Sequence, residues 1–136
     1  MTRTAVITGI GVVAPGGIGT KAFWALLTEG RTATRPISAF DASRFRSRIA
    51  AECDFEGELN GLTAEESGRL DRAAQFALVC ADEAVVDGGL DPGALDPYRL
   101  GVTIGSAVGA TIGLENEYLT VSAGARDWVV DPAKAA

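Results

Sequence analysis

Two apolar stretches, one near the start of the chain and one near residue 100, predict buried strands. Residues 4–13 (TAVITGIGVV) are rich in β-branched side chains, carry no charge and run into the turn residues Pro15, Gly16 and Gly17. Residues 100–106 (LGVTIGS) have the same character and are followed by a turn of small residues. A third, shorter strand is expected at residues 49–53.

Helical periodicity predicts three helices. The first covers residues 20–29 and ends at Gly30, which stands where a C′ glycine belongs. Its apolar face is formed by Phe23, Trp24, Leu26 and Leu27. The second covers residues 70–86 and is apolar around most of its circumference, as expected for a central helix of a layered protein. The third covers residues 113–122.

Turn and capping signals separate these elements. Thr63-Ala-Glu-Glu66 has the capping-box pattern, in which the Thr hydroxyl and the Glu side chain each bond the other residue's backbone N–H. Gly88-Gly89 ends the second helix. Residues 31–48 are basic, are interrupted by Pro36, and predict a long loop.

The order strand, helix, helix, strand, helix predicts an α/β fold in which two parallel strands are joined through helices. Residues 131–136 contain neither a strand pattern nor a capping signal. We therefore expect residues 1–136 to be one incomplete domain, from a chain that stops before the domain ends.

Composition narrows the class of protein. The 136 residues carry 12 basic and 18 acidic side chains, a net charge of −6 that argues against nucleic-acid binding. Residues 1–48 alone have a net charge of +5, and residues 49–136 one of −11. There is neither an apolar run long enough to span a membrane nor a secretory signal pattern. Two cysteines fit a reducing cytosol, so a cytoplasmic location is expected.

The chain contains no histidine. This excludes Ser-His-Asp and Cys-His catalysis, and every histidine-containing metal site, within these residues. A catalytic base in this protein is therefore a carboxylate or a lysine, or it lies in sequence beyond these residues.

Gly9-Ile-Gly11-Val-Val-Ala14 matches the dinucleotide fingerprint G-x-G-x-x-G/A. That motif needs a helix to begin at its second glycine, whereas Val12 and Val13 here prolong the strand. No acidic residue ends a second strand about 20 residues further on. A nucleotide-binding module therefore remains only as an alternative hypothesis.

Neither cysteine has the surroundings of a nucleophile. Cys53 stands between Glu52 and Asp54, and Cys80 lies mid-helix before two acidic residues, so both pKa values are expected to be raised. We expect both to be small buried or boundary residues. The acidic pairs Glu65-Glu66 and Asp82-Glu83 are expected to be solvated helix faces.

The stretch 105–113 (GSAVGATIG) is built of small residues after a predicted buried strand. Such a turn lets a ligand, a partner subunit or another backbone approach closely. Close packing of strand against helix explains the same pattern, and both interpretations stay open.

Short motifs with family-like spacing extend along essentially the whole chain. They are Val6 to Gly19, Phe23-Trp24…Leu27…Gly30, Ile37…Phe40-Asp41, Leu70-Asp71-Arg72, Asp87-Gly-Gly-Leu90 and Arg99-Leu-Gly-Val…Gly105-Ser. In this order they resemble the N-terminal part of a β-ketoacyl synthase of the thiolase-like superfamily. Within that family, Gly30-Arg-Thr-Ala-Thr-Arg35, Phe45-Arg-Ser-Arg-Ile-Ala-Ala-Glu52, Asp71-Arg-Ala-Ala-Gln-Phe76, Gly105-Ser-Ala-Val108 and Leu114-Glu-Asn-Glu-Tyr-Leu119 are typical of the α-type ketosynthase of aromatic polyketide systems.

The resemblance implies a thiolase-like layered α/β fold and decarboxylative condensation of malonyl units on an acyl carrier protein. It implies a homologous chain-length subunit as partner in a heterodimer, or a homodimer, and no cofactor or metal. The family's nucleophilic cysteine, two histidines and lysine are expected beyond residue 136, so no catalytic residue is assigned here. The rival interpretations are the silent chain-length subunit, a fatty-acid 3-oxoacyl synthase and the nucleotide-binding module.

The resemblance also implies two non-catalytic sites. The turn beside the acyl channel and the dimer interface corresponds to Ala107, Val108, Gly109, Ala110 and Thr111. Val108 there occupies the position of a gating side chain. Arg69 and Arg126 correspond to basic positions that contact the acidic carrier protein.

Overall fold

The computed structural model describes residues 4–109 and 111–123 of the 136-residue chain. In the described part the chain forms four short strands and four α-helices, with three single-turn 3₁₀ segments between α1 and α4. The strands are β1 (Val13–Ala14), β2 (Gly17–Ile18), β3 (Thr34–Pro36) and β4 (Ile49–Ala51). The helices are α1 (Thr20–Thr28), α2 (Ala64–Arg69), α3 (Arg72–Asp87) and α4 (Thr111–Ala123). The 3₁₀ segments are Glu58–Asn60, Pro92–Ala94 and Pro97–Arg99.

The strand predicted at residues 4–13 pairs only at its end. Val13 lies opposite Ile18 and Ala14 opposite Gly17 in a tight antiparallel hairpin, in which Gly16 adopts a φ of 78°. Within residues 4–109 and 111–123 the rest of the segment has no strand partner, and Val6 and Ile7 are 76% and 84% exposed. A segment becomes a strand only when its backbone N–H and C=O groups pair with another segment. The apolar pattern of residues 4–13 does not specify that second segment.

The second predicted strand, residues 100–106, is likewise unpaired among the described residues, with Val102 and Ile104 largely exposed. The parallel pair that the element order predicted is therefore not formed there, and both ladders of the described part are antiparallel. The predicted loop 31–48 contains one strand of the second ladder, β3. Its partner β4 begins at Ile49 as expected and ends at Ala51, two residues early.

The first helix agrees closely with its prediction. Helix α1 ends at Thr28, and Gly30 follows with a φ of 64°, while its N–H donates to the Leu27 carbonyl oxygen at 3.1 Å. Of the predicted apolar face only Leu26 is buried, whereas Trp24 is 67% and Leu27 53% exposed.

Two separate N-caps lie at and before the start of the helix predicted at residues 70–86. Thr63 and Glu66 form the predicted capping box, which starts the six-residue helix α2. Leu70 then turns extended, and the Asp71 carboxylate accepts the Ala74 N–H at 2.8 Å to start α3. Helix α3 therefore begins at Arg72, two residues after the predicted start, and ends at Asp87 before the two glycines.

The buried apolar side chains of the described part are few. They are Leu26, Ala42, Phe55 and Leu62. Phe55 packs edge-on against Phe76 of α3, with ring centroids 4.7 Å apart. No residue of α3 is fully buried, so its predicted position at the centre of a layered core is not reached in the described residues. Helices in this part of the chain are too short or too polar to cross a membrane.

Candidate functional site

The turn after residues 100–106 is a small, hydrogen-bonded structure that leads into α4. The Gly109 N–H donates to the Ser106 hydroxyl at 2.7 Å, and the Thr111 N–H donates to the Gly109 carbonyl oxygen at 2.9 Å. Gly109 has a φ of 68°, a conformation that side-chain-bearing residues rarely adopt. The two bonds and the glycine fix the direction in which the chain enters the helix.

Val108 is the side chain that this turn presents to its surroundings. It is 71% exposed, and it follows Ala107 and precedes Gly109, both of which have little or no side chain. Residues 105–113 contain no acidic, basic or thiol side chain. Of the residues assigned to this turn by resemblance, Ala107, Val108, Gly109 and Thr111 are described, and Ala110 lies outside the described residues.

Arg69 lies on the last turn of α2 and is exposed. Its guanidinium donates to the Glu65 carboxylate at 2.8 Å, and the two side chains are 72% and 74% exposed. Surface ion pairs of this kind contribute about 0.2–1 kcal/mol, so Arg69 can exchange Glu65 for another carboxylate at little cost. No hydrogen bond or ion pair of the described residues joins Arg69 to the 105–109 turn, and Arg126 lies outside those residues.

Both cysteines have environments that disfavour the thiolate. Burial raises the pKa of Cys80, and Glu83 nearby adds to the effect. Burial also raises the pKa of Cys53, although the Arg72 guanidinium opposes it. Neither thiol is therefore an activated nucleophile, as the sequence predicted, although burial contributes more than the neighbouring acids.

The prediction that the acidic pairs are solvated faces is wrong for two of the four side chains. The Glu83 carboxylate accepts the Val12 N–H at 2.8 Å, the Thr20 N–H at 2.7 Å and the Thr20 hydroxyl at 2.8 Å. Glu66 closes the α2 capping box. These hydrogen bonds lower the pKa of both carboxyls. Glu83 thus fastens the N-terminal segment and the start of α1 to α3, and only the tertiary structure shows this.

The nucleotide-binding interpretation is contradicted by how the glycines pack. A Cβ at Gly9 would overlap the Ala84 carbonyl oxygen, and one at Gly11 would overlap the Cys80 carbonyl. The glycines therefore let the N-terminal segment lie directly on α3 and do not face a phosphate. The Thr20 N–H at the start of α1 is already taken by the Glu83 carboxylate, which leaves no anion site there.

Arg72 has a structural role that the sequence analysis did not predict, since it named this residue only as part of two family motifs. Its guanidinium lies over the rings of Phe55 and Phe76, 5.7 and 5.1 Å from their centroids. It also donates to the carbonyl oxygens of Cys53, at 2.6 Å, and Phe55, at 3.2 Å. Arg72 lines a surface cavity of about 330 Å³ and holds residues 53–55 against α3. The described residues contain no group of three or more Cys, Asp or Glu side chains that could hold a metal ion.

The comparison with protein families now identifies the class. The family model of the β-ketoacyl synthase N-terminal domain matches residues 2–132. The chain therefore belongs to the β-ketoacyl synthase family, and the resemblance inferred from its motifs is confirmed.

Within the family, the chain is similar to proteins of polyketide synthesis. The chain is 62% identical, over 98% of its length, to the granaticin polyketide protein of Streptomyces violaceoruber that carries the name beta-ketoacyl synthase 1. It is 59% identical, over 96% of its length, to the tetracenomycin polyketide synthase ketoacyl synthase alpha subunit of Streptomyces glaucescens. The granaticin protein named beta-ketoacyl synthase 2 is 40% identical over 79% of the chain. The chain spans 32%, 32% and 26% of these relatives' lengths.

Solved structures agree with the family. The ishigamide ketosynthase/chain length factor superposes with a TM-score of 0.77 at 30% identity, covering 96% of this chain and 32% of that one. The complex of AntDE with AntF, a type II polyketide acyl-carrier protein with its ketosynthase bound to the hexaketide, superposes with a TM-score of 0.71 at 28% identity, covering 96% of this chain and 31% of that one. The α/β ketosynthase fold class predicted from the sequence is thereby confirmed.

Proposed function

We propose that the protein to which these residues belong is the α-type ketosynthase of an aromatic polyketide system. One observation carries the proposal. Two granaticin proteins of the same organism differ in their identity to this chain, 62% for the one named synthase 1 and 40% for the one named synthase 2. The chain-length subunit and a fatty-acid 3-oxoacyl synthase remain the rival assignments.

The proposed reaction is a decarboxylative Claisen condensation. An acyl group passes from the carrier thioester to a cysteine thiolate, and the carrier thiol leaves. The C–CO₂ bond of carrier-bound malonyl then breaks, CO₂ departs, and the resulting enolate carbon attacks the acyl carbonyl. A C–C bond forms and the cysteine thiolate is released. Two histidines stabilise the negative charge that develops on the enolate and carbonyl oxygens.

We assign none of these reacting groups to residues 1–136. The chain has no histidine, and both of its thiols have raised pKa values. We propose that residues 1–136 form an incomplete N-terminal part of the catalytic domain, and that on their own they neither condense nor decarboxylate malonyl thioesters. Their proposed contribution is the wall of the substrate channel and part of the carrier surface.

For the channel we propose Ala107, Val108, Gly109, Ala110 and Thr111. The exposed Val108 between two small residues supports a role in setting the width of the passage. The absence of titratable groups in this turn is consistent with a purely steric role.

For carrier binding we propose Arg69 and Arg126. Arg69 supports the assignment because its only ion pair in the described part is a weak surface pair with Glu65. The proposed partners are an acyl carrier protein and a homologous subunit, forming a heterodimer or, failing that, a homodimer in the cytoplasm. Neither nucleic acid nor membrane is proposed as a partner.

The test uses the full-length protein. It is purified with its homologous subunit and supplied with malonyl-loaded carrier protein, and both CO₂ release and elongated product are measured. Product formation that needs this protein's own nucleophilic cysteine supports the proposal. If that cysteine is dispensable while the partner's is required, the protein is the chain-length subunit. Acceptance of only saturated fatty-acyl intermediates assigns it to fatty-acid synthesis.

A further inference from the structure

The loop between β3 and β4 combines exposed positive charge with exposed aromatic rings. Residues 40–48, which we call the Arg–Phe loop, contain Arg44, Arg46 and Arg48 and a single acid, Asp41. Phe40 and Phe45 are 55% and 57% exposed, although their rings meet edge-on with centroids 5.6 Å apart. The loop has a net charge of +2 in a chain whose net charge is −6.

The arginines of this loop are not neutralised by ion pairs within the described part of the molecule. Three arginines outside the loop do form ion pairs in the described part: Arg31 with Glu29, Arg35 with Glu52 and Asp54, and, as a weak surface pair, Arg69 with Glu65. Arg44 and Arg46 form no ion pair with any carboxylate of residues 4–109 and 111–123. Two guanidinium groups are therefore available to an acidic partner.

Several contacts anchor the loop to its surroundings. The Glu52 carboxylate accepts the N–H groups of Ser38 and Ala39 at 3.0 and 2.9 Å, which fixes one end of the segment. Ala42 in its middle is buried, and the Arg48 guanidinium donates to the Ser43 carbonyl oxygen at 3.1 Å. A surface that is already ordered loses little conformational entropy when a partner binds.

We infer that the Arg–Phe loop is a docking surface for the acidic acyl carrier protein, in addition to Arg69 and Arg126, which are proposed above. The inference rests on the proposed function for the identity of the partner. Arginine and aromatic side chains are the residue types that contribute most at protein interfaces, and arginine pairs bidentately with carboxylates. A polyanion such as nucleic acid is disfavoured because the rest of the chain is strongly acidic.

The experiment measures binding of a fluorescently labelled holo-carrier protein to the full-length protein with its partner subunit, by anisotropy. The test variant is Arg44→Glu/Arg46→Glu. Its matched control is Lys21→Glu/Arg99→Glu, which makes the same change of charge at two exposed basic residues outside the loop that also form no ion pair in the described part. We expect the carrier Kd to rise at least tenfold in the test variant and to change by less than threefold in the control. Phe45→Ala is expected to raise the Kd severalfold without changing its salt dependence.

Each outcome decides between the alternatives. Equal carrier Kd values in the test and control variants would overturn the inference, even if the protein condenses malonyl units. Selective loss of carrier binding in a protein that does not condense would support the docking surface and remove the proposed function. A changed sedimentation mass would make the loop a subunit contact and overturn the inference. If the double charge reversal unfolds the protein, Arg44→Gln/Arg46→Gln provides the same comparison.

Discussion

Glu83 offers a direct test of how the N-terminal segment is held on α3. In Glu83→Gln the side chain keeps its shape but loses its charge and one acceptor oxygen. The oxygen that remains can still accept from Thr20, whereas the new NH₂ group faces the Val12 N–H, donor against donor. A hydrogen bond to a charged group contributes about 1.5–3 kcal/mol, and one such bond is lost. The segment should therefore open roughly tenfold to a hundredfold more often, since about 1.4 kcal/mol is a factor of ten.

Amide hydrogen exchange at Val12 and Thr20, in the full-length protein, measures this opening directly. Asp82→Asn is the matched control, because Asp82 is the neighbouring acid on the same helix and is exposed. The control should leave both exchange rates within about twofold, as expected for a surface change. If the two variants exchange at the same rate, the assignment of Glu83 as the fastening residue is wrong.

The pH dependence of the same measurement has a definite sign. The hydrogen bonds from Thr20 and Val12 lower the pKa of Glu83 in the folded protein below its ordinary value of about 4.3. The contribution of Glu83 to stability is therefore complete above that ordinary value and is lost as the pH falls through the lowered one. The difference in exchange between the wild-type protein and Glu83→Gln should disappear in that acidic range. A difference that persists there would mean that the charge of Glu83 is not what holds the segment.

Three further predictions follow from other parts of the structure, all in the full-length protein. Gly11→Ala should destabilise it by about 1–3 kcal/mol or more in denaturant unfolding, because a Cβ there overlaps the α3 backbone; Gly68→Ala, with open space around it, is the control and should be neutral or slightly stabilising. Serine replacements of Cys53 and Cys80 should leave acylation within about tenfold, because both thiols have raised pKa values; loss of acylation in a folded variant would place the nucleophile within these residues. Val108→Phe should leave the melting temperature unchanged, because Val108 is exposed. It should slow acylation by long carrier-bound chains much more than by short ones, because only a long chain meets the added ring in the proposed channel, where overpacking costs about 1–3 kcal/mol; equal effects on both lengths would make Val108 a packing residue only.

The sequence correctly predicted features that depend on interactions between residues a few positions apart. The capping box of Thr63 and Glu66 and the C′ glycine at residue 30 lie where the sequence predicted them. These features depend on hydrogen bonds between residues three or four apart, so the sequence contains everything that determines them. The family could also be recognised from the sequence, because the order and spacing of several short motifs together are specific even where each single motif is weak.

Contacts between distant residues were decided only by the tertiary structure. The apolar pattern of residues 4–13 and 100–106 predicted two paired strands, yet the first pairs only at Val13, and the second does not pair within the described part. Glu83 was predicted to be solvated, although its carboxylate binds residues 63 and 71 positions away. The glycines that suggested a nucleotide motif in fact let two backbones meet. Glu83 and the two glycines meet partners far along the chain, and local periodicity contains no information about which partner that is. Periodicity also does not show whether an apolar segment will find a strand to pair with.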